Sequence, residues 1–242
     1  MKSFLFIFIC TVFSSNALAA LEDISVNLQA SQYDGEYLGV VGIGYDFTEQ
    51  FSTSVDIDTD KYIEIGASYS TIIDTWYLET YVRYGFGDEL TTEASDGNEL
   101  VYQMHIYDLG FLAGKVLTNN VFAYLDTSLQ YRAPHHNIAL PALVGDNTLA
   151  YELSQQTEWN NTLAVDYTPL DWLSLGVSYN FDLLLGDHPY EDSLRDSVDV
   201  SVSLNLPYVT PYARYTKGEY RVRPGRPIQD SSYTEVGFYF NF

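Results

Sequence analysis

The chain alternates apolar and polar residues along about twelve consecutive segments between Ile24 and Phe242, most of them close to ten residues long. Alternation with a period of two places every second side chain on the same face of a β-strand. The segment 173–183 shows it most clearly, with Leu, Val, Tyr and Phe on one face and Ser, Gly, Asn and Asp on the other. No segment beyond residue 20 keeps a helical period for three turns. The sequence therefore predicts an all-β fold.

The sixth segment, from about Val101 to Leu117, departs from this regularity. Its alternation shifts near Ile106–Asp108, which indicates a β-bulge. Alternation therefore does not decide whether His105 faces inward or outward.

The connections between segments alternate in length. Those after even-numbered segments are short and lie around 48–50, 72–75, 118–120, 168–171 and 206–208. The long connections, at 87–100, 133–150, 186–196 and 218–231, all follow odd-numbered segments. Outer-membrane β-barrels combine short periplasmic turns with longer extracellular loops in this way. An even number of strands would place both chain ends on the periplasmic side.

Aromatic residues lie at both ends of the apolar face. Tyr45, Phe47 and Trp76 fall at the short-turn end, and Tyr84 and Tyr179 toward the long loops. Aromatic bands on either side of a Val, Leu and Ile zone are typical of a wall that faces lipid. A soluble β-sandwich or jelly roll also alternates but has no need of these bands. We therefore predict, for residues 20–242, a single closed transmembrane antiparallel β-barrel, because an open edge would leave backbone groups unbonded in hydrocarbon.

Residues 1–19 have the features of an export signal peptide. Lys2 is followed by an apolar run and then by Ala17-Leu18-Ala19, an A-x-A cleavage pattern. The apolar run is too short to span a bilayer as a helix. Cleavage after Ala19 would remove the one cysteine, Cys10, and with it disulfides and thiolate chemistry.

Composition excludes two other classes of protein. The formal net charge of −22 is the wrong sign for binding a nucleic-acid backbone. The 46% of hydrophobic and 16% of aromatic residues exclude an acidic disordered chain.

The end of the chain carries a resemblance to known proteins. The segment Tyr233-Thr234-Glu235-Val236-Gly237-Phe238-Tyr239-Phe240-Asn241-Phe242 has aromatics at alternate positions and a final Phe. It resembles the C-terminal strand of Gram-negative outer-membrane proteins, and this implies handling by the barrel-assembly machinery through the strand that ends at Phe242. The signal, the length and the strand number are similar to those of the small twelve-stranded oligogalacturonate-specific porins, as is Pro207-Tyr208…Pro211-Tyr212…Tyr215. Those channels line the pore with arginines, of which this chain has few.

The polar face of a barrel with this parity lines the lumen. The residues predicted to line the pore are Asp56, Glu64, Tyr77, Glu79, Tyr81, Arg83, Tyr124, Asp126, Arg132, Asp182, Asp199, Tyr212 and Arg214. Further inward carboxylates are expected at Asp46, Asp58, Asp166 and Glu235, and three arginines oppose them all. Such a narrow passage would enrich cations. Alternatively, the carboxylates pair with the arginines or with Tyr hydroxyls and only brace the wall.

A loop basic cluster follows Arg214 and consists of Lys217, Arg221, Arg223 and Arg226. Its guanidinium groups suit anionic solutes or lipopolysaccharide phosphates. The alternative is a loop that folds onto acidic residues such as Asp187 and Asp192.

These features predict an outer-membrane channel for passive diffusion of small hydrophilic solutes, oligosaccharides included, with Tyr77, Tyr81, Tyr124 and Tyr212 as faces for sugar rings. The partners expected are outer-membrane lipids, lipopolysaccharide and these solutes, with no nucleic acid, cofactor or metal. A non-conducting surface barrel that acts as an adhesin or binds a partner is the alternative. A lipid hydrolase is a third interpretation and would need His105 or His135 beside a Ser and an Asp or Asn. We do not expect an enzyme.

Overall fold

The computed structural model describes residues 24–33, 36–93, 99–136, 155–185, 195–220 and 229–241. The regular structure in these ranges is thirteen β-strands: β1 (Ile24–Tyr33), β2 (Glu36–Asp46), β3 (Phe51–Asp58), β4 (Ile63–Ile73), β5 (Trp76–Phe86), β6 (Leu90–Glu93), β7 (Glu99–Thr118), β8 (Val121–His136), β9 (Gln156–Leu170), β10 (Leu173–Leu185), β11 (Arg195–Leu204), β12 (Val209–Tyr220) and β13 (Gln229–Asn241). The described residues contain no helix that is long and apolar enough to cross a membrane. The predicted signal peptide lies outside them.

Twelve of these strands close into one antiparallel barrel. Each strand pairs with its neighbour in the chain, β5 pairs directly with β7, and β1 pairs with β13 to complete the ring. The short β6 pairs with the outer part of β7 as an extension beyond the ring. The predicted closed all-β barrel is confirmed, and β6 is an addition that the alternation did not predict.

The short connections are tight turns at one end of the barrel. Asp74 and Tyr208 adopt positive φ angles of 57° and 69° there. At the opposite end, the turn between β3 and β4 is held by the Asp58 carboxylate, which accepts a hydrogen bond from the Tyr62 amide at 3.0 Å. The described part of the chain thus has a short-turn end and a loop end, as the connection lengths predict.

The bulge predicted at Ile106–Asp108 is wrong. β7 pairs without interruption with β5 and with β8 through this stretch, and its register shift lies between Val116 and Thr118. Ile106 is an apolar side chain on the inner face, where it is 3% exposed. Alternation expects a polar residue at this inward position, so an isoleucine there looks in the sequence like a shift of the strand by one residue.

The apolar parity forms the outer surface. Val177 and Val200 are paired across β10 and β11 and are 54% and 51% exposed. Their neighbours Ser178 and Asp199 are paired on the opposite face and bond to each other at 3.3 Å. An exposed apolar wall around a hydrogen-bonded polar interior is the arrangement of a barrel in lipid.

Candidate functional site

An acidic cluster lies on the inner wall of β3 to β8. It consists of Asp56, Glu64, Glu79, Asp108 and Asp126, which alternation and strand pairing place on one face. Asp56 and Glu64 are paired directly across β3 and β4. Like charges directly opposite each other repel, so this wall requires either a cation or water to stabilise it.

Arg83 on β5 is the guanidinium within the acidic cluster. Its Nε lies 3.8 Å from the Glu64 carboxylate, and it is paired with Asp108 in the β5–β7 register. Its guanidinium carbon also lies 4.2 Å from the centre of the Tyr81 ring, a cation–π contact. One arginine therefore opposes five carboxylates, and the local charge stays negative.

Tyr81 crosses a neighbouring strand to reach the cluster. Its hydroxyl on β5 donates to Asp126 on β8 at 2.8 Å, although β7 lies between them. Gly110 on β7 makes this possible, because a Cβ there would lie within the Tyr81 ring. Tyr81 is only 7% exposed. The expected use of Tyr81 as a stacking face for sugars is therefore wrong, since Arg83 and the wall occupy its ring.

The other aromatic residues of this wall are less enclosed. The Tyr77 hydroxyl donates to Glu79 at 2.6 Å. Tyr124 packs beside Phe122, with 5.8 Å between the ring centres, and Phe122 lies over Gly114. Tyr77 and Tyr124 thus keep ring surface on the inner side of the barrel.

A second charged cluster crosses the seam where β13 meets β1. Arg214 on β12 forms an ion pair with Glu235 on β13. The Tyr212 hydroxyl donates to Glu235 at 2.5 Å and accepts from the Gln29 amide on β1 at 2.9 Å. The Tyr212 ring also stacks on Tyr239, with 4.7 Å between the ring centres, so one of its faces is covered, and its use as a sugar-stacking face stays a prediction.

A mouth cluster covers the inner wall of β7 to β10 at the loop end. Its members are all at most 8% exposed: Ile106, Gln130, Arg132, Gln156, Glu158 and Leu184. Arg132 lies 3.4 Å from Glu158 and donates to Gln156 at 3.1 Å. Wall residues that face open water would be exposed, so other groups pack against this part of the inner wall.

Small polar residues line β10 and β11. Asn180 donates to Asp199 at 3.0 Å and accepts from Thr162 at 2.7 Å. Asp182, the next inward position along β10, is paired with Asn160 and Arg195. This ladder braces Asp199, so that carboxylate is both inward and hydrogen-bonded.

The loop basic cluster is only partly described. Lys217 lies within β12, opposite Val198 and Ser232, and not in a loop. It shares the parity of Tyr215, which is 44% exposed on the outer wall. Arg221, Arg223 and Arg226 lie outside the described residues.

Two inward carboxylates were not predicted from the sequence. Glu158 is the inward neighbour of Trp159, and its parity alone could have identified it. Asp108 is paired with Arg83, and the mistaken bulge concealed its direction. Both additions make the inner wall more acidic than predicted.

The two histidines whose side chains are described, His105 and His135, lie on the outer face of the wall. His105 has the parity of the outward Tyr107, and its Nδ1 hydrogen-bonds the Tyr84 hydroxyl at 2.7 Å. The His105 and His135 rings lie 4.2 Å apart. Among the described residues, no group of three or more His, Cys, Asp or Glu side chains could hold a metal ion. The partners of His105 are aromatic rings, and this is not the setting that a hydrolase triad requires.

One exposed ion pair lies at the loop end. The Lys61 ammonium beside Asp88 lowers the pKa of that carboxyl. Exposed pairs of this kind contribute little to stability.

The comparisons with known proteins concern the fold. No family model and no curated protein matches the chain. Among solved structures, the NanC porin, solved in a rhombohedral crystal form, has a TM-score of 0.62 at 13% identity, over 90% of this chain and 100% of its own. The KdgM porin in complex with disordered oligogalacturonate has a TM-score of 0.52 at 16% identity, over 90% and 99%.

A third match is the translocator domain of the autotransporter NalP from Neisseria meningitidis, with a TM-score of 0.58 at 14% identity over 100% of this chain and 95% of that domain. At identities this low, the matches show a similar fold and do not indicate a shared function. The chain has the fold of the outer-membrane β-barrels, and twelve antiparallel strands close it.

Proposed function

We propose that this chain forms an outer-membrane channel through which small hydrophilic solutes diffuse passively, with a preference for cations over anions. The observation that carries the proposal is the acidic cluster, in which Arg83 alone opposes five inward carboxylates. A low-dielectric passage concentrates the field of such charges and raises the local concentration of counter-ions.

Two further arginines of the described inner wall leave the sign of this field unchanged. Arg214 and Arg132 are each within an ion pair, with Glu235 and with Glu158. Their positive charge is therefore locally compensated, whereas the acidic cluster has a surplus of negative charge. The polar ladder adds Asp199 on the same inner face, whereas Asp182 is paired with Arg195 across β10 and β11.

The solute class that fits this wall is neutral or positively charged. The KdgM porin was solved in complex with oligogalacturonate, which is an acidic sugar. An acidic inner wall repels such a chain, so we propose neutral or cationic solutes, oligosaccharides included. Tyr77 and Tyr124 provide the ring surface on which a sugar could stack.

The proposed partners follow from the same fold. Residues 1–19 would direct export, and the strand that ends at Phe242 would engage the barrel-assembly machinery. Lys217 with Arg221, Arg223 and Arg226 would meet lipopolysaccharide phosphates at the loop end. Catalysis has no part in this proposal.

The second candidate is a non-conducting surface barrel whose loops bind a partner. The mouth cluster favours it, because Gln156 and Glu158 are only 2% and 1% exposed at the entrance. A closed entrance would abolish diffusion and leave the loops as the functional part.

Planar-bilayer recording of the refolded full chain separates the two candidates. If the chain is a channel, we expect stepwise conductance. Across a salt gradient, the sign of the reversal potential should show that cations permeate more readily than anions. Asp56→Lys and Asp199→Lys should move that potential toward anions, whereas Asp74→Lys, in a short turn, should leave it nearly unchanged. Absence of conductance would support the surface barrel. Anion preference in the wild type would overturn the charge assignment.

A further inference from the structure

The outer wall of β3 to β8 carries a groove that the channel function does not use. Its floor is a row of cross-strand partners: Thr53, Ala67, Val82, Leu109 and Leu129. The floor is lowest at β3 and β4, because Thr53 and Ala67 have short side chains. A cavity of about 740 Å³ lies over it.

Larger side chains form the two sides of the groove. The row toward the loop end contains Tyr84, Tyr107 and Tyr131, and all three line the cavity. The row toward the short-turn end contains Phe51, Tyr69 and Phe111 in the same register. Since a barrel wall is ordinarily convex, an apolar trough across five strands needs something apolar to fill it, or its lining loses dispersion contacts.

Hydrogen-bond donors lie just beyond the loop-end side of the groove. His105 lies one row nearer the loop end than Tyr107, and its ring lies 4.2 Å from that of His135. When the Tyr84 hydroxyl donates to Nδ1 of His105, at 2.7 Å, the imidazole proton lies on Nε2. Nε2 is then the donor of a ring that shares the outward parity of Tyr107, at the level where aromatic belts mark the membrane interface.

We propose that this groove binds one phosphate-bearing lipid of the leaflet at the loop end, with an acyl chain along Ala67 and Val82 and the phosphate at His105 and His135. The apolar floor and the polar upper end match the two parts of an amphiphile. Their order also matches a bilayer, since the donors lie nearer the loops than the floor does. The rows of the groove have the outward parity and the acidic cluster has the inward parity, although Arg83 and Asp108 also border the cavity. Lipid retention and channel conductance are measured separately, so the two proposals can fail independently.

Native mass spectrometry of the refolded full chain tests the site, with dimyristoyl phosphatidic acid and dimyristoylglycerol as probes in a mild detergent. The wild type should retain one phosphatidic acid molecule and less of the uncharged lipid. Ala67→Trp fills the groove and should abolish retention of both, whereas Val177→Trp, on the outer wall of β10, should retain them like the wild type. The pair His105→Ala and His135→Ala should reduce phosphatidic acid to the level of dimyristoylglycerol.

Folding of each variant is checked by its heat-dependent mobility in detergent gels, and Val82→Phe serves as a second groove-filling change if Ala67→Trp does not fold. The proposal is overturned if the wild type retains no lipid, or if retention is the same with the groove filled. It is also overturned if the groove-filling variants instead abolish a dimer, because the occupant would then be a second copy of the chain.

Discussion

At the scale of the residue, glycines decide how the inner wall is braced. Tyr81 reaches Asp126 only because Gly110 leaves the intervening strand bare, and Tyr212 reaches Gln29 across Gly237 in the same way. In both cases an aromatic ring covers a glycine and its hydroxyl bonds beyond it. The wall is therefore held by contacts between strands that are not hydrogen-bonded neighbours.

A double-mutant cycle tests this arrangement at Gly110. Gly110→Ala should destabilise the barrel by about 1–3 kcal/mol, because the new methyl group displaces the Tyr81 ring. In a Tyr81→Ala background the same change should cost almost nothing, since the ring is gone. Urea unfolding in lipid vesicles measures both values. An equal cost in the two backgrounds would show that Gly110 is required for backbone reasons and not for the ring.

The sequence predicted well the face of the sheet on which a side chain lies. It predicted poorly which other side chains that group contacts. Alternation correctly placed Asp56, Arg83 and Asp126 on one face. It could not show that Tyr81 is enclosed, because that depends on a glycine 29 positions away that lies beside it only after β5 and β7 pair. Contacts set by strand register are absent from a one-dimensional pattern.

At the scale of the element, the two faces of a strand should respond oppositely to charge. Val177→Arg and Val200→Arg place a guanidinium on the outer wall, which should cost about 2–4 kcal/mol near the bilayer midplane. Ser178→Arg and Ser201→Arg place it on the inner wall, where Asp199 lies nearby. These inner variants should fold normally and alter conductance. Unfolding in urea and bilayer recording together measure the contrast, and equal destabilisation at both parities would contradict the lipid-facing assignment.

The closing seam is a separate element. Tyr212→Phe removes the hydroxyl that connects β12, β13 and β1, and should cost about 1.5–3 kcal/mol because one partner is the Glu235 carboxylate. The folded form should then convert to the unfolded gel mobility at a lower temperature. Tyr124→Phe, on the inner wall away from the seam, is the matched control. If both variants convert at the same temperature, the hydroxyl of Tyr212 is not what secures the seam.

At the scale of the whole molecule, turn lengths and parity were sufficient to predict the barrel, whereas its irregular parts were not. The short β6 extends the loop end by pairing with β7, and its own four residues carry no extended alternation. The mouth cluster likewise combines apolar Ile106 and Leu184 with Arg132 on the inner face. Apolar side chains at such positions fill space inside the barrel and interrupt the apolar–polar alternation. In the sequence they therefore look like shifts of strand register.

Charge also acts at this scale, and its range sets the last prediction. The chain carries a formal net charge of −22, and the acidic cluster concentrates part of it on the inner wall. The screening length is about 30 Å at 0.01 M salt and about 3 Å at 1 M. Cation preference that arises from the summed field should therefore be strong in dilute salt and weaken steadily as salt rises. Reversal potentials recorded at a fixed concentration ratio across that range measure it. A preference that stays constant with salt would instead show that selectivity arises where the permeating cation directly contacts a few carboxylates, such as Asp126 and Glu79.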